Sequence, residues 1–346
     1  MKRLFCLTSP YTRLLCCLAA LWVSISTMAQ TGNSGYSFLE IPSSAHSFAL
    51  GGSGIAVIDD DVTLSEQNPA LLGPEIESQL AFNYMLYMGT SNFAGVRYGM
   101  GAGEHGAWAA GIRYLNYGKM RGFNESGGET GYFTPQDIVF EGAYSHDIND
   151  RLRGGANLKM IYSIYEQYSA FALAVDLGIN YYNEENDLSF SAVFSNMGGQ
   201  LKRFSDSYTR LPFNISLGYM QGLGSSPFSI AITATDLTRW KRQYYSHKTD
   251  SDDSSELKSS FFSDLFRHLV FGLQYSPSEK FYAALAYNYK VRTDMSTYQR
   301  NFLSGFSVGL GFRVSSFRVG VSYQMPHKGA SSLNLNLTTD IASLFD

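Results

Sequence analysis

Cysteine is almost missing from this 346-residue chain: Cys6, Cys16 and Cys17 are all it has, and all lie near its start. The first thirty residues read MKRLFCLTSPYTRLLCCLAALWVSISTMAQ. Lys2, Arg3 and Arg13 make a basic beginning, 14–25 is a mostly apolar stretch, and Thr27 and Ala29 are the small residues of a cleavage site. That pattern predicts a secretory signal peptide over 1–29, not a membrane anchor. Without cysteine downstream, disulfides, thiol nucleophiles and Cys-ligated metal centres are excluded.

Basic charge is short as well. Removing Lys2, Arg3 and Arg13 from the 26 basic residues leaves 23 against 30 acidic ones, a net −7 with no basic run. No nucleic-acid partner is expected. Long apolar runs are missing too: the longest beyond the signal is FYAALAY, 281–287, far below the roughly 20 residues of a membrane-spanning helix.

Catalytic and metal signatures are scarce. The six histidines, at 46, 105, 146, 247, 268 and 327, form no H-x-x-x-H pair, and turns, loops and barrel faces account for them. In the acidic stretch SHKTDSDDSSELKSSFFSDLF, 246–266, Ser255 and Phe261 stand where a calcium loop counted from Asp250 needs Gly and Glu. No G-x-S-x-G elbow occurs. The chain is expected to be no enzyme and to carry no cofactor or metal.

What is present in excess is 24 Tyr, 24 Phe and 33 Gly. From Glu77 onward the chain alternates with period two. In SFRVGVSYQM, Phe317, Val319, Val321, Tyr323 and Met325 share one face and Arg318, Gly320, Ser322 and Gln324 the other. LNLNLTTD sets Leu333, Leu335 and Leu337 against Asn334, Asn336 and Thr338, and GFSVGLGFRV repeats the pattern with Phe306, Val308, Leu310, Phe312 and Val314. Such alternation marks strands with two unlike faces.

Fourteen segments of this kind are predicted: 77–88, 92–102, 106–117, 137–147, 151–163, 170–182, 188–197, 212–221, 226–236, 267–276, 279–290, 304–314, 316–325 and 332–339. Alternate links are short, and those at 118–136, 198–211, 237–266 and 291–303 are long. An even strand count with long loops collected at one end is the pattern of an all-β, antiparallel transmembrane barrel of the outer membrane, with both termini periplasmic. A secreted β-sandwich would alternate too, but it would not sort its loops by side. Tyr114/Tyr117, Tyr181/Tyr182 and Tyr287/Tyr289, near strand ends, suit interfacial girdles. Arg97, Arg113, Arg153, Lys159 and Arg313 fall on the inward face.

The stretch GGSGIAVIDDDVTLSEQNPALLG, 51–73, precedes the first strand. It has no third glycine and no Gly-Lys-Ser/Thr ending, so it is no phosphate loop. The organisation expected is signal peptide 1–29, an N-terminal lumen plug 30–76 and a barrel 77–346. Gly51, Gly52 and Gly54 would let the plug backbone turn and pass close to the strands. Asn68 and Pro69 would end a short helix over 62–67. Asp59, Asp60 and Asp61 are expected to complement the five inward bases.

FLEIPSSAHSFALGGSGIAVIDDDVTLSEQNPALL, 38–72, resembles the N-terminus of the PorV/PorQ outer-membrane proteins of the type IX secretion system, relatives of the FadL-like barrels. The Phe-Leu-x-x-Pro-Ser-Ser-Ala opening is nearer PorQ. The resemblance implies a non-enzymatic role in protein export, with a surface-attachment protein or cargo bearing a C-terminal signal domain as partner. The long loops would form the docking rim, with Tyr244, Tyr245, Phe261 and Phe262 as anchors and outer-membrane lipid around the wall. The alternative, which the wider barrel family allows, is a transporter of hydrophobic small molecules. The chain ends on Phe345 and Asp346, unlike the terminal aromatic of a porin.

Overall fold

A computed structural model describes residues 35–124, 126–205, 208–240, 261–294, 302–327 and 330–342. The expected signal peptide, Tyr244 and Tyr245 lie outside the described residues. Sixteen strands occur among them: β1 Gln79–Tyr87, β2 Ser91–Gly101, β3 Gly106–Asn116, β4 Met120–Phe123, β5 Glu129–Phe133, β6 Gln136–Asn149, β7 Leu152–Tyr165 and β8 Tyr168–Asn183 in the first half. The second half adds β9 Leu188–Lys202, β10 Asn214–Gly222, β11 Phe228–Ala234, β12 Leu269–Ser278, β13 Phe281–Asn288, β14 Phe306–Val314, β15 Phe317–His327 and β16 Ala330–Asp340. Fourteen of these close an antiparallel barrel sealed by β16 against β1, and β4 and β5 pair with each other outside it.

Each strand alternates because its two faces meet different surroundings. On β16, Asn334, Asn336 and Thr338 are buried on the inside, while Leu335 and Leu337 are exposed on the outside. The outer rows of Phe82, Tyr84, Leu158, Met160, Leu177, Leu273, Leu285 and Leu310 form an apolar band, the surface that a bilayer covers.

All fourteen predicted strands are found, with differences at their ends. β9 runs on to Lys202 because Asn196, at φ 58°, forms a bulge that lets pairing resume against β8 at Met197 opposite Val175. The predicted loop 118–136 contains the β4–β5 hairpin, whose faces are almost all exposed, so no alternation betrays it. One end of the barrel carries only short turns. At the other end the links from β3 to β6, β9 to β10, β11 to β12 and β13 to β14 are long, but those at 88–90 and 166–167 are short too. Tyr117 is no girdle residue: its hydroxyl donates to Asp137 Oδ2 at 2.6 Å. Tyr289 sits in a short helix.

Ahead of β1, residues 35–76 run through 3-10 turns at Ser37–Glu40, Val62–Glu66 and Pro69–Leu71 and one helical turn, α1, Ala45–Ala49. The Ser44 side chain caps α1, and Gly51 and Gly52 end it at φ 79° and 80°, where a side chain would be strained. Gly54 packs on Ser47 of the same segment, not on a strand. Pro69 does not stop a helix. The Val62–Glu66 turn has already ended, and Asn68 caps a new turn with Pro69 in its first position.

Candidate functional site

The inside of the barrel is where the sequence places its chemistry. Residues 35–76 touch every barrel strand there. The Val62 N–H donates to Gln79 on β1, Arg97 on β2 donates to Ser65 Oγ at 3.0 Å, and Arg113 on β3 meets Glu66 at 2.6 Å. Ser145 on β6 donates to the Leu72 carbonyl, and Arg153 on β7 pairs with Glu75 at 3.2 Å. A side chain at Gly178 on β8 would collide with Asn68, and Asn68 donates to Ser191 on β9 at 3.0 Å. Gly218 on β10 faces Ile55, Thr233 on β11 donates to the Ser53 carbonyl, and His46 bonds Gln274 on β12 at 2.8 Å. Asn288 on β13 reaches the Gly51 carbonyl, Ser307 on β14 the Ala49 carbonyl, and Arg318 on β15 pairs with Asp59 at 3.2 Å. Asn336 on β16 accepts from the Ala45 N–H at 2.6 Å.

Four layers follow one another from the long-loop end. Outermost, the buried Asp137 carboxylate accepts from Tyr117, Tyr165 and Ser163. Below it the wall turns apolar: Met85, Phe93, Leu115, Val139, Ile161, Ala172 and Ala174 pack on Phe38, Leu39 and Phe48 of the segment. Next comes a charged belt in which Arg97 and Arg113 hold Glu141, both at 2.8 Å, and Arg113 also holds Glu66. Lys159 meets Asp176 at 2.6 Å within the same belt. Last, Val62, Leu72 and Ile76 pack on Ala107, Ala109 and Ala143.

All five predicted bases are on inward rows, but the aspartates do not meet them as expected. Arg97, Arg113 and Lys159 are spent on Glu141, Glu66 and Asp176. Arg153 pairs with Asp147 and Glu75. Arg313 stands 39 % exposed at the short-turn mouth beside Asp340. The same wall carries inward acids, Glu141, Asp147 and Asp176, that take up these bases first. Asp59 instead pairs with Arg318 and lies 3.3 Å from His46 Nδ1. Asp61 caps the Thr63 N–H at 2.9 Å, and the Asp60 carbonyl accepts from Gln79.

Four residues of this site receive no role from the sequence. Glu66, Glu141 and Arg318 were findable from position or strand parity. His46 carried no such signal: it is buried in α1 and stacks on Tyr282 at 3.8 Å. Among the described residues no group of three or more His, Cys, Asp or Glu is placed to hold a metal.

Burial pushes the Asp59 carboxyl up, but His46 and the Arg318 guanidinium outweigh it and hold the group below the usual carboxylate range. A depressed carboxyl stabilises the fold above its unfolded value and loses that contribution as pH falls through its folded value. Arg318→Ala should therefore cost about 1–2 kcal/mol at neutral pH. As pH falls through the folded value of Asp59, below the usual carboxylate range, the difference should fade. Unfolding titrations from neutral pH into acid check this, and a difference that stays unchanged throughout would remove Asp59 as the partner. Glu66 shifts the other way, because burial pushes its carboxyl up against the pull of Arg113.

No protein-family model matches the chain, and no curated protein matches it in sequence. Solved structures do resemble it. The Pseudomonas putida toluene transporter TodX superposes with a TM-score of 0.52 at 12 % identity, over 86 % of this chain and 97 % of that one. A deltaS2S3 mutant of TodX, described as a monoaromatic hydrocarbon channel, gives 0.51 at 11 % identity, over 85 % and 97 %. At such identity the likeness establishes the fold, an outer-membrane β-barrel.

Proposed function

We propose that this barrel passes small apolar molecules across the outer membrane, with residues 35–76 as a plug that gates it and no catalytic chemistry. The observation that carries this reading is the apolar layer on the inner wall, Met85, Phe93, Leu115, Val139 and Ile161. A water-filled porin lumen is polar, whereas an inward apolar surface lowers the cost of taking a hydrocarbon out of the membrane or away from water. The toluene and monoaromatic solutes named for the two structural neighbours guide the choice of probe. In this reading both termini and the short turns face the periplasm, and the long loops face outward.

The test is uptake by cells with and without the barrel, whose lipopolysaccharide leaflet slows apolar solutes as a phospholipid bilayer does not. Toluene should enter faster than in cells lacking the barrel, and a sugar of similar size should not. Toluene uptake equal to that of cells lacking the barrel would end the conduit reading.

A second reading rests on the hold that every strand has on the inner segment, which suits a static anchor as well as a gate. Together with the PorV/PorQ resemblance of 38–72, it supports a type IX surface-docking component closer to PorQ. Mild-detergent extraction of outer membranes followed by mass spectrometry separates the two. A surface protein retained on the barrel, with no solute flux, favours docking.

A further inference from the structure

At the long-loop end the chain forms two short helices, α2 Phe261–Arg267 and α3 Tyr289–Asp294. On α2, Phe261 and Phe262 are 64 % and 68 % exposed and Phe266 is exposed beside them, and Phe302, just ahead of β14, is 81 % exposed. Large rings gathered on one exposed face mark a surface that something covers. The two anchors named from sequence, Phe261 and Phe262, therefore belong to a wider aromatic patch.

The patch is continuous with the lipid-facing wall. Phe266 lies 6.2 Å from Phe271, which heads the outward row of β12 that continues through Leu273 and Tyr275. Phe302 lies 6.3 Å from Phe306, which heads the outward row of β14 and itself meets Tyr287 on β13 at 4.9 Å. Phe266 also meets Tyr289 of α3 at 6.3 Å. The charged residues of α2, Asp264 and Arg267, are mostly covered and 3.9 Å apart, so the helix shows rings outward and keeps its charges in.

We propose that α2 lies in the membrane leaflet at the long-loop end and that its aromatic face extends the barrel's lipid-facing band past the strand ends. The occupant is lipid because the rings carry on rows that already face lipid, and aromatic side chains favour the membrane–water interface. Seven residues cannot cross a bilayer, so the helix lies along the leaflet. The inference depends only on the barrel fold and stands whichever solute or partner the lumen and loops serve.

The experiment places a single tryptophan on the patch, Phe262→Trp, in a chain without residues 1–29, and so without Trp22, that also lacks Trp108 and Trp240, with the barrel reconstituted in bilayers. Phe302→Trp serves as a second, independent reporter. Lipids brominated near the headgroup should cut the emission of either reporter about twofold, while aqueous iodide leaves it largely intact. Strong iodide quenching without lipid quenching would overturn the proposal. So would shielding that develops only when outer-membrane protein extract is added, since a protein would then be the occupant.

Discussion

Replacing Arg113 with Ala should destabilise the folded barrel by about 3–5 kcal/mol, the usual cost of removing one member of a buried ion pair. The guanidinium holds Glu66 at 2.6 Å and Glu141 at 2.8 Å, and both carboxylates are almost fully covered. Without it, Glu66 keeps the Ser43 N–H at 3.3 Å and the more distant pull of Arg97 and Lys159, and Glu141 keeps Arg97. Total stabilities of folded domains are themselves only about 5–15 kcal/mol, so the loss should show as a large drop in the denaturation midpoint in detergent. Arg113→Lys should fall between, because an ammonium restores charge but cannot fork to two carboxylates. Glu66→Gln should cost less than Arg113→Ala, since it leaves Arg113 paired with Glu141. Equal midpoints for wild type and Arg113→Ala would mean that the belt does not hold the segment.

A disulfide between the segment and the wall should stop conduction if the segment is a gate. A Cβ at Gly320 would stand 3.2 Å from the Ala45 Cβ, slightly inside the roughly 3.5–4.5 Å that a disulfide spans. Cys6, Cys16 and Cys17 are the only native cysteines, so an Ala45→Cys/Gly320→Cys chain without residues 1–29 has one possible pair. A disulfide worth about 2–4 kcal/mol against opening lowers the open population by about 30-fold or more. Toluene flux should fall accordingly on oxidation and recover on reduction. Flux that survives oxidation would mean that solute passes with the segment in place. That result would remove the gate and leave the conduit.

The strands were legible because a barrel wall meets apolar surroundings outside and a packed, polar interior inside, and the chain writes that difference at every second residue. Leu335 and Leu337 against Asn334 and Asn336 carry that difference in the chain itself. The bulge at Asn196 could not, since a positive φ at one asparagine leaves no periodic trace. The β4–β5 hairpin stayed hidden because both its faces are exposed. Within the lumen, parity identified which bases point inward but not what they meet. Arg97 and Glu141 are 44 residues apart, and Asp59 and Arg318 are 259 apart. Such pairs depend on the stagger of a closed barrel, which no local pattern encodes.

The reach of residues 35–76 has a consequence for the order of assembly. The segment is made first, yet it bonds strands as late as β16, with Ala45 and Asn336 291 residues apart. It also straddles the seam, bonding Gln79 on β1 as well as Asn336 and Asn334 on β16. Contacts this remote in sequence form late, after most of the loop-closure entropy has been lost. Until β16 arrives, the segment's buried carboxylates and backbone groups lack part of their native bonding. Closing the seam and filling the interior are then one event, and a chain truncated before β16 would leave the segment without its final docking strand.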